Sequence, residues 1–250
     1  MFFDAHAHMD MLSEKELGKA LFGATEKRVG KIISCSTSFE SNKKNLLLAK
    51  EHKEISCAIG LYPLDLVELN KKEIEKSFSF FEKHIKRVIA IGEIGLDFKF
   101  CTKKEDKEKQ EFWFSKFISL SKKYKKPLII HSRFAQRQVL EQLEKEKAEK
   151  VLLHSFVDSS KLMKKASSLE YFVSVGMALL QNEQIQNKIT EFPLEKLLFE
   201  TDSPMRFNNE KVFSEKISDI AGKTAEIKGI SLKVVEETQE KNFKILFDKK

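Results

Sequence analysis

Six histidines are spread over the 250 residues, and four of them stand at the ends of short apolar runs. His6 and His8 close the run that begins at Met1, His131 closes Pro127–His131 and His154 closes Lys150–His154. One histidine at a strand end is ordinarily a hydrogen-bonded core residue. Four at equivalent ends point to imidazoles gathered on one side of a sheet, and neutral imidazole is a common ligand of divalent metals. In His6-Ala7-His8 both rings fall on one side of an extended chain, because strand side chains alternate. Asp4 and Asp10 share that parity, which offers Asp4 as a carboxylate to orient a ligand. His52 and His84 lie in polar helical stretches and read as surface residues.

The carboxylates follow the same pattern. Glu93 ends the apolar run Arg87–Gly92, within Gly92-Glu93-Ile94-Gly95-Leu96-Asp97. Burying it unpaired would be costly, so it needs either a lysine partner or a place between two cations. Glu200 and Asp202 have equal parity in Glu200-Thr201-Asp202-Ser203-Pro204, and Pro204 stops the strand. Two carboxylates pointing into a core also require nearby cations. In His131-Ser132-Arg133 the arginine lies on the histidine's face and suits a bidentate grip on a phosphate.

Such residues must be positioned by elements, and the chain supplies a regular series. Apolar runs occur at Met1–Ala5, Lys31–Ser34, Ile55–Gly60, Arg87–Gly92, Pro127–His131, Lys150–His154, Tyr171–Gly176 and Lys196–Glu200. Each has the length of a buried strand. Between them lie Ser41–His52, Lys71–Ile85, Lys104–Lys125 and Phe134–Lys147, rich in helix formers with apolar residues at helical spacing. Phe112, Phe114, Phe117, Ile118 and Leu120 form one expected inner face. Ser231–Asp248 reads as an extra or final helix that closes the fold, with Val234, Val235, Phe243, Ile245 and Leu246 packed inward. Eight strand–helix units in this length predict an α/β fold, a single (β/α)₈ TIM barrel over residues 1–250. The alternative is an open doubly wound sheet, weakened by the absence of GxGxxG after the first strand. A barrel gathers its chemistry at the C-terminal ends of its strands, where the four histidines fall.

Composition sets bounds around this. Hydrophobic residues make up 41% and charged residues 33%, enough apolar bulk to exclude disorder. The net charge of +7 suits anionic partners such as nucleic acid. Cys35, Cys57 and Cys101 form no CxxC, and reduced thiols are expected. No basic leader and no apolar window of ~20 residues is present, so the expectation is a soluble cytoplasmic protein without a membrane partner.

Taken in order, Asp4-Ala5-His6-Ala7-His8-Met9-Asp10, Gly92-Glu93-Ile94-Gly95-Leu96-Asp97, His131-Ser132-Arg133, Leu153-His154-Ser155-Phe156 and Glu200-Thr201-Asp202-Ser203-Pro204 resemble the signatures of the TatD family of metal-dependent hydrolases. That family is a branch of the amidohydrolase superfamily. The resemblance implies a (β/α)₈ barrel and a magnesium-dependent DNase, often acting from the 3′ end, with D-aminoacyl-tRNA esters assigned to some members. It implies two divalent ions, magnesium, manganese or zinc. His6, His8 and Asp202 would hold one, His131 and His154 the other, and Glu93 would bridge them. Phosphotriesterase-like and dihydroorotase-like relatives usually bridge with a modified lysine, so Glu93 favours the nuclease branch. Glu93 and Asp202 would be catalytic, with Asp202 accepting a proton from water. Arg133, Tyr62 and Ser203 would meet substrate, backed by Asp4, Asp97 and Glu200.

The chain departs from the family at three places. Tyr62 precedes Pro63 where the family often has histidine, and its unperturbed pKa near ~10 makes it a poor proton carrier. Phe134 follows His-Ser-Arg where an acidic residue is common, and Asp158 stands near a usual glycine. The leading expectation is two-metal hydrolysis of a phosphodiester in single-stranded DNA or at 3′ ends. A metal-dependent hydrolase of aminoacyl-tRNA or small esters is the second, and a non-catalytic basic nucleic-acid-binding protein the third. Lysines mixed with glutamates, as in Glu141–Lys150, and the lack of an aromatic–basic pattern weigh against the last. A monomer is compatible with all three.

Overall fold

The computed structural model describes residues 1–101, 103–157 and 159–248. Asp158 therefore lies outside the described residues. Eight parallel strands follow one another around a barrel in sequence order: β1 (Phe2–Ala7), β2 (Val29–Cys35), β3 (Ile55–Ile59), β4 (Ala90–Asp97), β5 (Leu128–Arg133), β6 (Val151–Leu153), β7 (Phe172–Val175) and β8 (Leu197–Phe199). Helices α1 (Glu14–Glu26), α2 (Phe39–Glu51), α3 (Pro63–Glu68), α4 (Lys71–His84), α5 (Lys104–Tyr124), α6 (Gln136–Lys145), α7 (Ser160–Ser168) and α8 (Glu183–Glu191) cover its outside. After β8 come a short hairpin of β9 (Arg206–Phe207) and β10 (Glu210–Lys211), then α9 (Ile217–Lys228) and α10 (Leu232–Phe247). No helix among the described residues is long and apolar enough to cross a membrane.

The barrel has a seam. Seven neighbouring strand pairs form parallel ladders, whereas β8 meets β1 through single bonds. The Asp202 N–H donates to the His6 carbonyl at 3.0 Å and the His8 N–H to the Ser203 carbonyl at 2.6 Å. Buried Asp4 completes the closure, accepting the Thr201 N–H at 3.0 Å, the Thr201 hydroxyl at 2.5 Å and the Ser214 hydroxyl at 2.7 Å.

Every strand contributes to one inner cluster: Phe3 and Ala5, Ile33 and Cys35, Ala58, Ala90, Ile129, Leu152, Phe172 and Leu198. A cluster touched by all eight strands can only be the lumen. Phe243, Leu246 and Phe247 of α10 join it, and Phe243 stacks on Phe3 with centroids 4.3 Å apart. The last helix thus plugs the end of the barrel where the strands begin. Small Ala5, Cys35, Ala58 and Ala90 balance the bulky rings.

The helical faces need two corrections. In α10 the buried stripe is Val235, Gln239, Asn242, Phe243, Leu246 and Phe247, and Val234 and Ile245 are exposed. In α5 the stripe is Gln110, Phe114, Phe117, Ile118, Leu120 and Ser121, and Phe112 is exposed. At 3.6 residues per turn one stripe cannot take in every apolar residue of either helix, and polar Gln110, Gln239 and Asn242 occupy stripe positions instead. Gln110 is held there by Asp97, and Asn242 donates to the carbonyls of Leu194 and Leu197. Strand β4 is also displaced from Arg87–Gly92, because Ile85–Arg87 forms a 3₁₀ turn and pairing with β5 continues to Asp97.

Candidate metal centre

Two residues beyond the apolar lumen layer, the same strand faces turn polar. On β5 the step runs from Ile129 to His131, and on β6 from Leu152 to His154, just past the strand. On β7 and β8 it runs from Phe172 to Ser174 and from Leu198 to Glu200. Simple alternation therefore places these four groups in one ring above the packed lumen.

Strands β1 and β4 do not follow that rule. Pairing of β1 with β2 shifts between Asp4 and Ala7, so Asp4 does not share the face of His6 and His8. Asp4 instead holds the seam, and Asp10 accepts from Ser41 and Asn45 in α2. This overturns the parity argument for both aspartates. Of the histidines, Asp4 reaches only His6, through its backbone N–H, and no imidazole among the described residues. On β4 the register shifts between Ile91 and Ile94, which brings Glu93 inward, one place after the lumen position Gly92. Gly60 makes room for that backbone: a Cβ there would lie 2.5 Å from the Glu93 carbonyl oxygen.

The two oxygens of buried Glu93 face two groups of nitrogens. Oε2 lies 3.6 Å from His6 Nε2 and 3.4 Å from His8 Nε2. Asp202 Oδ1 approaches the same nitrogens at 3.4 and 3.2 Å, and they stand 3.2 Å apart. Oε1 lies 2.7 Å from His131 Nδ1 and 3.3 Å from His154 Nε2, themselves 3.2 Å apart. Ligand atoms ~2.0–2.1 Å from one zinc sit roughly 3.0–3.4 Å from each other. No lysine approaches Glu93 among the described residues, so the lysine-paired reading fails.

Groups behind the rings set which nitrogen is free. The Cys35 carbonyl, 2.9 Å from His8 Nδ1, can only accept, so Nδ1 carries the hydrogen and Nε2 keeps its lone pair. Asp97 Oδ2, 3.2 Å from His131 Nε2, leaves Nδ1 facing Glu93. Glu200 Oε1 stands 3.4 Å from His154 Nδ1, and its other oxygen accepts from Ser174 at 2.5 Å. Three of the four imidazoles thus have an acceptor behind them and a free nitrogen in front. His6, His154 and Glu200 also form a close triad of possible ligand atoms.

Without a metal, protons play the cation's part. Burial opposes charge on every group here, and the pairings decide the outcome. Burial would raise Glu93, yet His131 and His154 hold it well below the usual carboxylate range. Asp202 is also held low against burial, by His6 and His8. Burial would lower His8, but Asp202 and Glu93 push it up to about 9. His131 is raised against burial by Asp97 and Glu93, and His154 by Glu200 and Glu93. His6 goes down, through burial and the neighbouring His154. The clustered donors accommodate cationic charge between them, as protons or as divalent ions.

Asp202 adopts φ 53, a left-handed conformation that aspartate tolerates, and its side chain is 34% exposed. It lines a cavity of about 460 Å³ with His8, Glu93, His131, His154, Tyr62 and Arg133. Asp97 organises one wall, accepting from Tyr62 Oη at 2.8 Å and from Arg133 Nε and Nη2 at 2.8 and 2.5 Å. The bidentate edge of Arg133 is therefore already occupied. Nη1 has no hydrogen-bond partner among the described residues. Ser203 is fully buried and does not line the cavity; Pro204 and Met205 line it in its place. Met11, Thr37 and Asp65 also line it and were not singled out in the sequence. They stand in a 3₁₀ turn, a loop and a first helical turn, where no periodicity marks them. His52 follows α2 as its C-cap and His84 ends α4, both outside the barrel. All three cysteines are free and buried, and burial with nearby carboxylates pushes the Cys35 thiol up.

A parallel barrel with histidines and carboxylates gathered at its C-terminal mouth defines the class of metal-dependent hydrolases. The family model described as TatD related DNase matches residues 3–248, and the chain belongs to that family. Human deoxyribonuclease TATDN3 is 30% identical, over 98% of this chain and 94% of its own. YabD of Bacillus subtilis, named as an uncharacterized metal-dependent hydrolase, is 27% identical over 99% of each chain. The crystal structure of YjjV, a TatD homolog from Escherichia coli, superposes with a TM-score of 0.90 at 25% identity, covering 100% of this chain and 98% of that one.

Proposed function

We propose that this TatD-family hydrolase cleaves phosphodiester bonds of DNA, shortening a single strand from its 3′ end with two divalent cations. One observation carries the reading: Glu93 divides its two oxygens between two separate groups of imidazole nitrogens. His6, His8 and Asp202 would hold one cation and His131 and His154 the other, with Glu93 between. The histidine-rich donors suit zinc or manganese as well as magnesium. Such cations supply Lewis acidity, making water nucleophilic near neutral pH and offsetting charge on a phosphoryl group.

The chain's own groups do the rest. Asp202, partly exposed beside the His6–His8 pair, accepts the proton of the attacking water. Arg133 offers Nη1 to a phosphoryl oxygen while Asp97 holds its other edge. Tyr62 gives its hydroxyl hydrogen to Asp97, and burial with that carboxylate raises its pKa further. It contributes shape and a hydrogen bond, not proton transfer. The human relative's name, deoxyribonuclease, supports DNA as the substrate.

Chelator-stripped protein should lose turnover of a 5′-labelled single strand and regain it with magnesium, manganese or zinc. Metal analysis should find two ions per chain. Full activity in EDTA, or an unchanged rate in His131→Ala, would sink the reading. Turnover of mischarged tRNA without DNA cleavage would move it to ester hydrolysis.

A further inference from the structure

We propose that Phe100 is a nucleobase-stacking residue, the centre of a ledge that binds an unpaired base beside the cleavage site. This rests on the nucleic-acid reading above and deepens it. Phe100 follows β4 on the catalytic end of the barrel and is 61% exposed. Leaving such a ring in water gains nothing for the fold. The Arg133 guanidinium lies 4.9 Å from its centroid and the Lys99 ammonium 5.2 Å. Arg133 also lines the cavity, so one side chain joins the ring to the reacting centre.

The mouth carries more apolar surface of this kind. Met11 after β1 and Met205 after β8 line the cavity and are 53% and 41% exposed. Phe134, after β5, is 71% exposed. Apolar surface mixed with cations suits a ligand with flat apolar faces on an anionic backbone. An unpaired nucleotide strand has both; in a duplex the faces are stacked away. Aromatic platforms flanked by Lys or Arg are how sequence-tolerant single-strand sites are built. Because a ring face accepts any base, the ledge selects for unpaired bases without selecting their sequence.

The test uses three substrates with the metal-loaded enzyme: a single-stranded oligonucleotide, the same strand abasic at its 3′-terminal positions, and bis(p-nitrophenyl) phosphate. Phe100→Ala should raise KM for the normal strand on the order of tenfold, the value of one base stack. Phe100→Trp should restore it and Phe100→Leu should not. Removing the bases should weaken wild type to the level of Phe100→Ala and leave that variant insensitive. An equal effect of Phe100→Ala on normal and abasic strands, or none on either, overturns the ledge. Wild type that cleaves the diester but neither oligonucleotide overturns the DNA reading and the ledge together; cleavage of normal and abasic strands at one KM overturns the ledge alone.

Discussion

The two ends of the barrel are built by the same eight strands and serve opposite purposes. Where the strands begin, Phe3, Phe172 and the α10 residues Phe243, Leu246 and Phe247 fill the lumen with hydrocarbon. One side-chain layer later, His131, His154, Ser174 and Glu200 occupy the same faces, joined by His6, His8 and Glu93. The lower end gains free energy from packing. The upper end is a cluster of buried charge that is self-consistent only when cations, or protons in their place, balance Glu93 and Asp202. Stability and chemistry are thus separated along the barrel axis by the rise of two residues. Substitutions at one end should leave the other readable.

The largest effect expected is at Glu93. Glu93→Ala removes the one residue shared by both nitrogen groups, so bound metal should fall below two ions per chain. Turnover should fall by well over about a hundredfold, more than the loss of an orienting group brings. Two retained ions would break the division drawn here. At the other end, Phe243→Ala should cost about 3–5 kcal/mol in urea unfolding. It should retain metal content at low temperature, and metal loss without destabilisation would show the ends are not separate. Asp97→Asn sharpens the upper end, because it weakens the acceptor behind His131. Metal affinity should drop roughly 10–100-fold, read by metal titration of the folded variant.

Proton linkage should be visible at the same end. His8, His131 and His154 have raised pKa values without metal, so protons stay on them to higher pH and compete with cations. Affinity should therefore rise with pH through the neutral range, and binding near pH 7 should release protons. Calorimetry in two buffers of different ionisation enthalpy would show this as a buffer-dependent heat. The smallest effect belongs to neither end. Val234→Ser, on the exposed side of α10, should stay within about 0.5 kcal/mol of wild type.

Much of this was legible in the order of residues. Apolar runs of strand length, divided by amphipathic stretches, specify alternating strands and helices. The placement of His131 and His154 at run ends follows from alternation alone. All six proposed ligands could be named because imidazole and carboxylate are chemically distinctive and stand where apolar runs stop. The same alternation failed for Asp4 and Asp10. It also put Ser203 beside the substrate, where the protein buries it.

The residues thus determined by themselves the barrel, the end where histidines and carboxylates gather and the identity of the proposed donors. Tertiary structure alone decided which donors meet, because that depends on register shifts in β1 and β4 set by neighbouring strands. Glu93 faces inward only through the β4 shift and the space left by Gly60. Arg133 is gripped by Asp97, 36 residues away in the chain, and stacked by Phe100. Period and residue type are local and can be read along the chain. Register, seam closure and the partner of a long side chain are contacts between distant segments, and they exist only once the barrel has closed.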